Sequence, residues 1–144
     1  EVGYKKRIEF IEYLLKSDNQ NIGVLIIDGI ADLVSDVNNL EESNGCIQKL
    51  MEWSSIYNLH IITVIHSNFG SDKPTGHLGS FLEKKAETQI QLEANTVNKE
   101  WVTVKCKRSR GYAFETFSFK VNDLGLPEVV GDLYDPLKEN GKRY

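Results

Sequence analysis

The chain has 144 residues, 40% hydrophobic and 26% charged, which suits one soluble globular domain able to bury a core. Its net charge of −4 excludes a global basic field for holding nucleic acid. The longest apolar runs, 24–27 and 61–65, fall far short of the ~18 residues needed to cross a bilayer, and no signal-peptide pattern precedes the first helix. The expectation is therefore a cytoplasmic protein with no membrane partner.

Apolar residues at Tyr4, Ile8, Ile11, Leu14 and Leu15 predict an amphipathic helix over 4–16. Residues 17–21 are polar and break it. Val24-Leu25-Ile26-Ile27 is short, continuous and β-branched, the pattern of a strand buried on both faces, and it ends at Asp28-Gly29. A polar, Asn-rich stretch covers 36–44. A second helix is then predicted from about Ile47 to Tyr57, with a second buried strand over 60–65 that stops at His66-Ser67-Asn68. Helix, strand, helix and strand in this order imply parallel strands with right-handed connections.

Residues 68–79 are rich in Gly, Ser, Asp and Pro and read as a long exposed loop, followed by a short helix over 80–86. From Thr88 the period changes to two. Residues 88–92, 101–106 and 113–119 alternate as antiparallel hairpins with one wet face, and the tail after Val121 is expected to be loosely held. Cys46 and Cys106 lack the spacing of a metal site and are expected to be reduced, interior cysteines.

Asp28 is the sharpest local signal. It puts a carboxylate at the C-terminal edge of a parallel sheet, where α/β proteins bind ligands and where an Asp can hold magnesium through water. The plainer reading is an Asp that opens a turn with Gly29. His66 ends the neighbouring strand in the same way, and its imidazole could bond a phosphate or a water. An ordinary strand-end hydrogen bond is the alternative.

Lys105, Lys107, Arg108 and Arg110 place four cations within residues 105–110, a density that suits phosphate contact as well as a solvated hairpin end. Alternation along a strand would put Lys105 and Lys107 on one face. In the loop, Asn68, Lys73 and His77 offer polar contacts. Phe69 offers a ring that could stack on a base, although a lone loop aromatic more often packs onto its own domain. No GxxxxGK[ST] phosphate cradle occurs in the chain, so it is expected to be inactive as an ATPase by itself.

In this order the features over residues 4–121 resemble the RecA/DnaB-like ATPase family, as found in plasmid replicative helicases and mobilisation ATPases. Gly23 to Leu33 looks like the Walker B strand, with Asp28 as its acidic residue. His60 to Asn68 looks like the strand whose terminal residue senses the γ-phosphate, a role that falls on His66. Residues 68–78 match the position of a DNA-binding loop, which implies DNA contacts from Asn68, Phe69, Lys73 and His77. Lys105-Cys106-Lys107 matches a Lys-x-Lys pair that reaches a phosphate on the adjacent subunit, with Arg108 and Arg110 as competing candidates.

The resemblance implies an α/β fold: a partial RecA-like core over 1–121, parallel strands flanked by helices and then antiparallel hairpins, with 122–144 as a C-terminal tail. Walker A and the catalytic glutamate are absent, as expected of a fragment that begins after them. A loop arginine that many plasmid-helicase relatives carry is replaced by Leu78. The implied whole is a DNA-stimulated ATPase that acts in plasmid or mobile-element replication or mobilisation. It would use ATP and Mg2+, bind single-stranded DNA and form a homo-oligomer, in the family a hexameric ring. A non-catalytic DNA-binding or loader module of the same fold is the second reading, and a plain α/β interaction domain the third.

Overall fold

In a computed structural model, which describes residues 2–17, 21–68, 70, 71 and 73–131, the chain divides into two compact units, 1–85 and 86–144. The first unit runs α1 (Tyr4–Lys16), β1 (Val24–Asp28), a 3-10 turn (Ile30–Leu33), α2 (Leu40–Tyr57), β2 (His60–Val64) and α3 (Gly76–Lys85). β1 and β2 pair in parallel, from Val24 opposite His60 to Asp28 opposite Val64.

The order of helices and strands follows the periodicity, but α2 and α3 begin earlier than their apolar spacing suggests. Asn39 caps α2 by accepting the Glu42 N–H at 3.0 Å, and Glu41 and Glu42 lie in the first turn, where the helix dipole favours acids. The polar stretch 36–44 therefore contains a helix start rather than being all loop. Ser43, fully buried, donates its hydroxyl to the Val37 carbonyl at 3.2 Å. α3 starts at Gly76 rather than Ser80 because Leu78 is a core residue and its N–H is taken by Val37 O at 3.1 Å.

The core of this unit joins Leu15 from α1, Ile27 from β1, Ile30 and Leu33 from the turn, Cys46, Ile47, Leu50 and Trp53 from α2, Leu59, and Leu78 from α3. Leu25 and Ile61 add to it from the same face of the two strands. Burial pushes the Cys46 thiol up to about 11. The opposite face corrects the expectation of strands buried on both sides. Val24 is 54% and Ile26 65% exposed, and Ile62 and Val64 beside them are also exposed.

Polar contacts fasten α1 to the rest of the unit. Arg7 pairs with Asp32 at 2.7 Å, and Glu12 pairs with Lys49. The Tyr4 hydroxyl donates to the Glu42 carboxylate at 3.1 Å, which also accepts the Ser35 hydroxyl at 2.7 Å and the Ser35 N–H at 2.8 Å.

The second unit is a four-stranded antiparallel sheet in the order β3 (Thr88–Ala94), β4 (Trp101–Ser109), β5 (Phe117–Val121) and β6 (Pro127–Val130). The period-two reading of 88–119 holds in kind, but β5 begins at Phe117 and not at Ala113. Residues after Val121, expected to be loosely held, supply β6, because a turn at residues 122–126 lets Asn122 N bond Leu126 O at 2.9 Å. Cys106 is only half-buried on β4, unlike the interior cysteine expected. Among the described residues no helix is long and apolar enough to cross a membrane.

Two glycines of the first unit make opposite demands. A Cβ on Gly79 would lie 2.6 Å from the Pro74 Cβ, whereas one on Gly45, inside α2, would meet nothing within 4 Å. Gly79→Ala is expected to destabilise the chain by about 1–3 kcal/mol. Gly45→Ala is expected to stabilise it by about 0.5–1 kcal/mol, because alanine has less chain entropy to lose. Urea unfolding of the two variants checks both signs.

Acid should weaken the Glu42 network. Hydrogen bonds from the Ser35 hydroxyl, and then from its N–H, hold the Glu42 carboxyl below its ordinary value of 4.5. A carboxyl lowered in the native state contributes fully above the unfolded value and loses that contribution as pH falls through the native one. Urea midpoints should therefore fall as pH drops below about 4.5, and Glu42→Gln should show a smaller fall than the parent.

Candidate functional site

The C-terminal edge of the parallel pair gathers the polar residues of the first unit. The register ends with Asp28 opposite Val64, so His66 follows two residues beyond the last pair, at the same edge as Asp28. Both side chains are exposed. The chain after Asp28 runs beside β2, where a Cβ on Gly29 would lie in van der Waals contact, 3.4 Å from Val64 O. The Asp28–Gly29 peptide is cis. What the edge offers chemically is one carboxylate, one imidazole and the hydroxyl and amide of Ser67 and Asn68.

The loop after β2 is shorter than its composition implies, because α3 begins at Gly76. Ser67 and Pro74 form an isolated antiparallel bridge, and Asn68 N bonds Lys73 O at 2.9 Å. The Thr75 N–H and hydroxyl both donate to the His66 carbonyl, at 3.1 and 2.9 Å. Asn68 and Lys73 thus lie opposite each other at the base of this hairpin, both exposed. His77 is not a loop residue. It lies exposed in the first turn of α3. Phe69 lies outside the described residues.

The cations belong to the second unit, and the strand places them differently from the expectation. Gln89 pairs with Arg108 and Ile90 with Cys106, which leaves Lys107 without a residue directly across the ladder. This bulge interrupts the alternation on which a shared face for Lys105 and Lys107 depended. By register, Lys105 lies opposite Gln91 and Arg108 opposite Gln89, so Lys105 and Arg108 share a face. Lys107 and Arg108 are both exposed, and both lie within β4 rather than in the turn. Lys105 pairs with Glu93 on the neighbouring strand. Arg110 stands at the end of the strand, where its N–H bonds Glu87 O at 2.9 Å.

Two features escaped the sequence reading. Tyr112 is fully exposed in the β4–β5 connection, two residues after Arg110. An aromatic beside Gly111 in an arginine-bearing turn is the signal that could have found it. Thr75 carries no motif, and only its bonds to His66 reveal it.

Among the described residues no group of three or more His, Cys, Asp or Glu side chains is arranged to hold a metal ion. The chain matches no protein-family model and no curated protein.

The Glu93–Lys105 pair is half-exposed, with the two side chains 33% and 45% accessible, so it contributes little to stability. Glu93→Gln should therefore change the unfolding free energy by less than about 1 kcal/mol. The same variant should raise the rate at which an amine-directed acylating reagent modifies Lys105, read by peptide mass spectrometry. No change in that rate would mean that Glu93 does not limit access to the ammonium group.

Proposed function

We propose that residues 4–121 are the part of a RecA/DnaB-like ATPase core that follows the phosphate-binding loop. The complete protein is then a DNA-stimulated, helicase-type ATPase of plasmid or mobile-element replication or mobilisation. The observation that carries this reading is the parallel register of β1 and β2, which ends both strands at one edge with Asp28 and His66 exposed there. Ligands of open α/β sheets bind at that edge. The exposed apolar face of Val24, Ile26, Ile62 and Val64 supports the same reading, since parallel strands are ordinarily covered on both faces.

In this reading Asp28 holds Mg2+ through water. A single exposed carboxylate fits that role, because magnesium keeps most of its waters and takes its other ligands from phosphates. When bound, the ion neutralises charge on the phosphate oxygens. His66, within reach of the same edge, bonds the γ-phosphate and registers its loss. Asn68, Lys73 and His77, with Phe69, contact single-stranded DNA. Of the cations, Lys105, Lys107, Arg108 and Arg110 are the candidates for a phosphate on a neighbouring subunit of a ring, and Lys105 would have to exchange its pairing with Glu93 to reach one.

The test is ATP turnover by the intact protein with and without single-stranded DNA. Asp28→Asn should lower the DNA-stimulated rate by about 10–100-fold, the usual cost of losing a group that acts on a metal through an intervening ligand. No turnover by folded intact protein would overturn the motor reading and leave a DNA-binding or loader module of the same fold.

A further inference from the structure

The sheet does not hold His66. The β1–β2 register ends at Asp28 opposite Val64, so the backbone beyond Val64 has no ladder partner on β1. What holds the His66 carbonyl is Thr75, whose N–H and Oγ1 both donate to it, at 3.1 and 2.9 Å. A carbonyl oxygen has two lone pairs and can take both donors. The Thr75 carbonyl in turn accepts the Gly79 N–H at 3.0 Å, in the first turn of α3.

The joint is tight on both sides. Gly79 is pressed against Pro74, where a Cβ would stand 2.6 Å from the proline Cβ. Gly76, at φ +70°, lies against Val37, whose carbonyl would stand 2.6 Å from a Cβ and accepts the Leu78 N–H at 3.1 Å. The start of α3 is therefore tied to the end of β2 through Thr75 and to the segment after β1 through Val37. Close-packed joints of this kind pass a displacement on rather than absorb it.

We propose that Thr75 is a positioning residue for His66, clamping the end of β2 to the start of α3 so that His66, the base of the 67–74 hairpin and α3 move together. Its use in a nucleotide cycle rests on the function proposed for His66, whereas the clamp itself does not. Under that function, a shift of His66 on phosphate loss is delivered through Thr75 to the hairpin residues Asn68 and Lys73 and to His77 on α3. The β-branched side chain suits the task, because its χ1 is stiff and keeps the hydroxyl on the carbonyl.

The test compares the 144-residue chain with Thr75→Val, which keeps the shape and removes the hydroxyl, and with Thr75→Ser, which keeps the hydroxyl. Imidazole NMR signals report the histidines, and amide exchange reports the joint. In Thr75→Val the His66 signal should move, while that of His60, at the far end of β2, stays in place. The Asn68 and Gly79 amides should exchange about two- to tenfold faster, the effect of losing one net hydrogen bond. Thr75→Ser should restore both readouts.

An unmoved His66 signal with unchanged exchange in a folded Val variant would overturn the proposal. A Ser variant that behaves like Val would do the same, because restoring the hydroxyl would then fail to restore the clamp. If the Val variant does not fold, Thr75→Ala removes the same hydroxyl and is read in the same way. Neither readout needs nucleotide or DNA, so the result stands apart from that of the ATPase test.

Discussion

Parallel pairing of β1 and β2 requires a crossover, and α2 supplies it. Because both strands then run the same way, their C-terminal ends emerge together, and the Asp28–Val64 alignment sets how closely the following residues approach one another. The crossover stays in place because Cys46, Ile47, Leu50 and Trp53 of α2 are buried in the cluster that receives Ile27. Trp53 is among the most buried of these, and a side chain of its size leaves about 3–5 kcal/mol of cavity and transfer cost when removed. The polar edge of the first unit thus depends on an apolar contact on one face of a very small sheet.

That sheet is also incomplete by the usual physics of parallel strands. One face is packed by the helices, and the other leaves Val24, Ile26, Ile62 and Val64 in water. Each such side chain forgoes up to about 1.5–3 kcal/mol of burial. The second unit shows the same economy. Ile90 and Leu92 on β3 are 57% and 63% exposed, while Gln89, Gln91 and Glu93, which alternate with them, are half-buried. The polar face of β3 carries the Glu93–Lys105 pair, and its apolar face lies open.

Close approach, more than any single charge, organises the surroundings of His66. Gly76 and Gly79 permit contacts with Val37 and Pro74 that no larger residue allows, and Thr75 closes the hairpin base. The composition that suggested a long exposed loop also serves close contacts at Pro74, Gly76 and Gly79, because Gly and Pro suit tight turns.

Much of the first unit was legible in the chain alone. Period 3.6 located α1 and the later turns of α2, short β-branched runs located β1 and β2, and their order implied the parallel pair that puts Asp28 and His66 at one edge. Period two announced the hairpins of the second unit. What only the tertiary structure decided lies where local pattern carries no information. The polar first turn of α2 is helical because Asn39 caps it and Ser43 finds a buried partner. Residues 127–130 form a strand because β5 offers them an edge. The bulge at Lys107 separates two lysines that simple alternation would place together, since register depends on the partner strand. A short sequence window records which residues want burial, whereas which face is covered and which strand edge is paired depend on elements elsewhere in the chain.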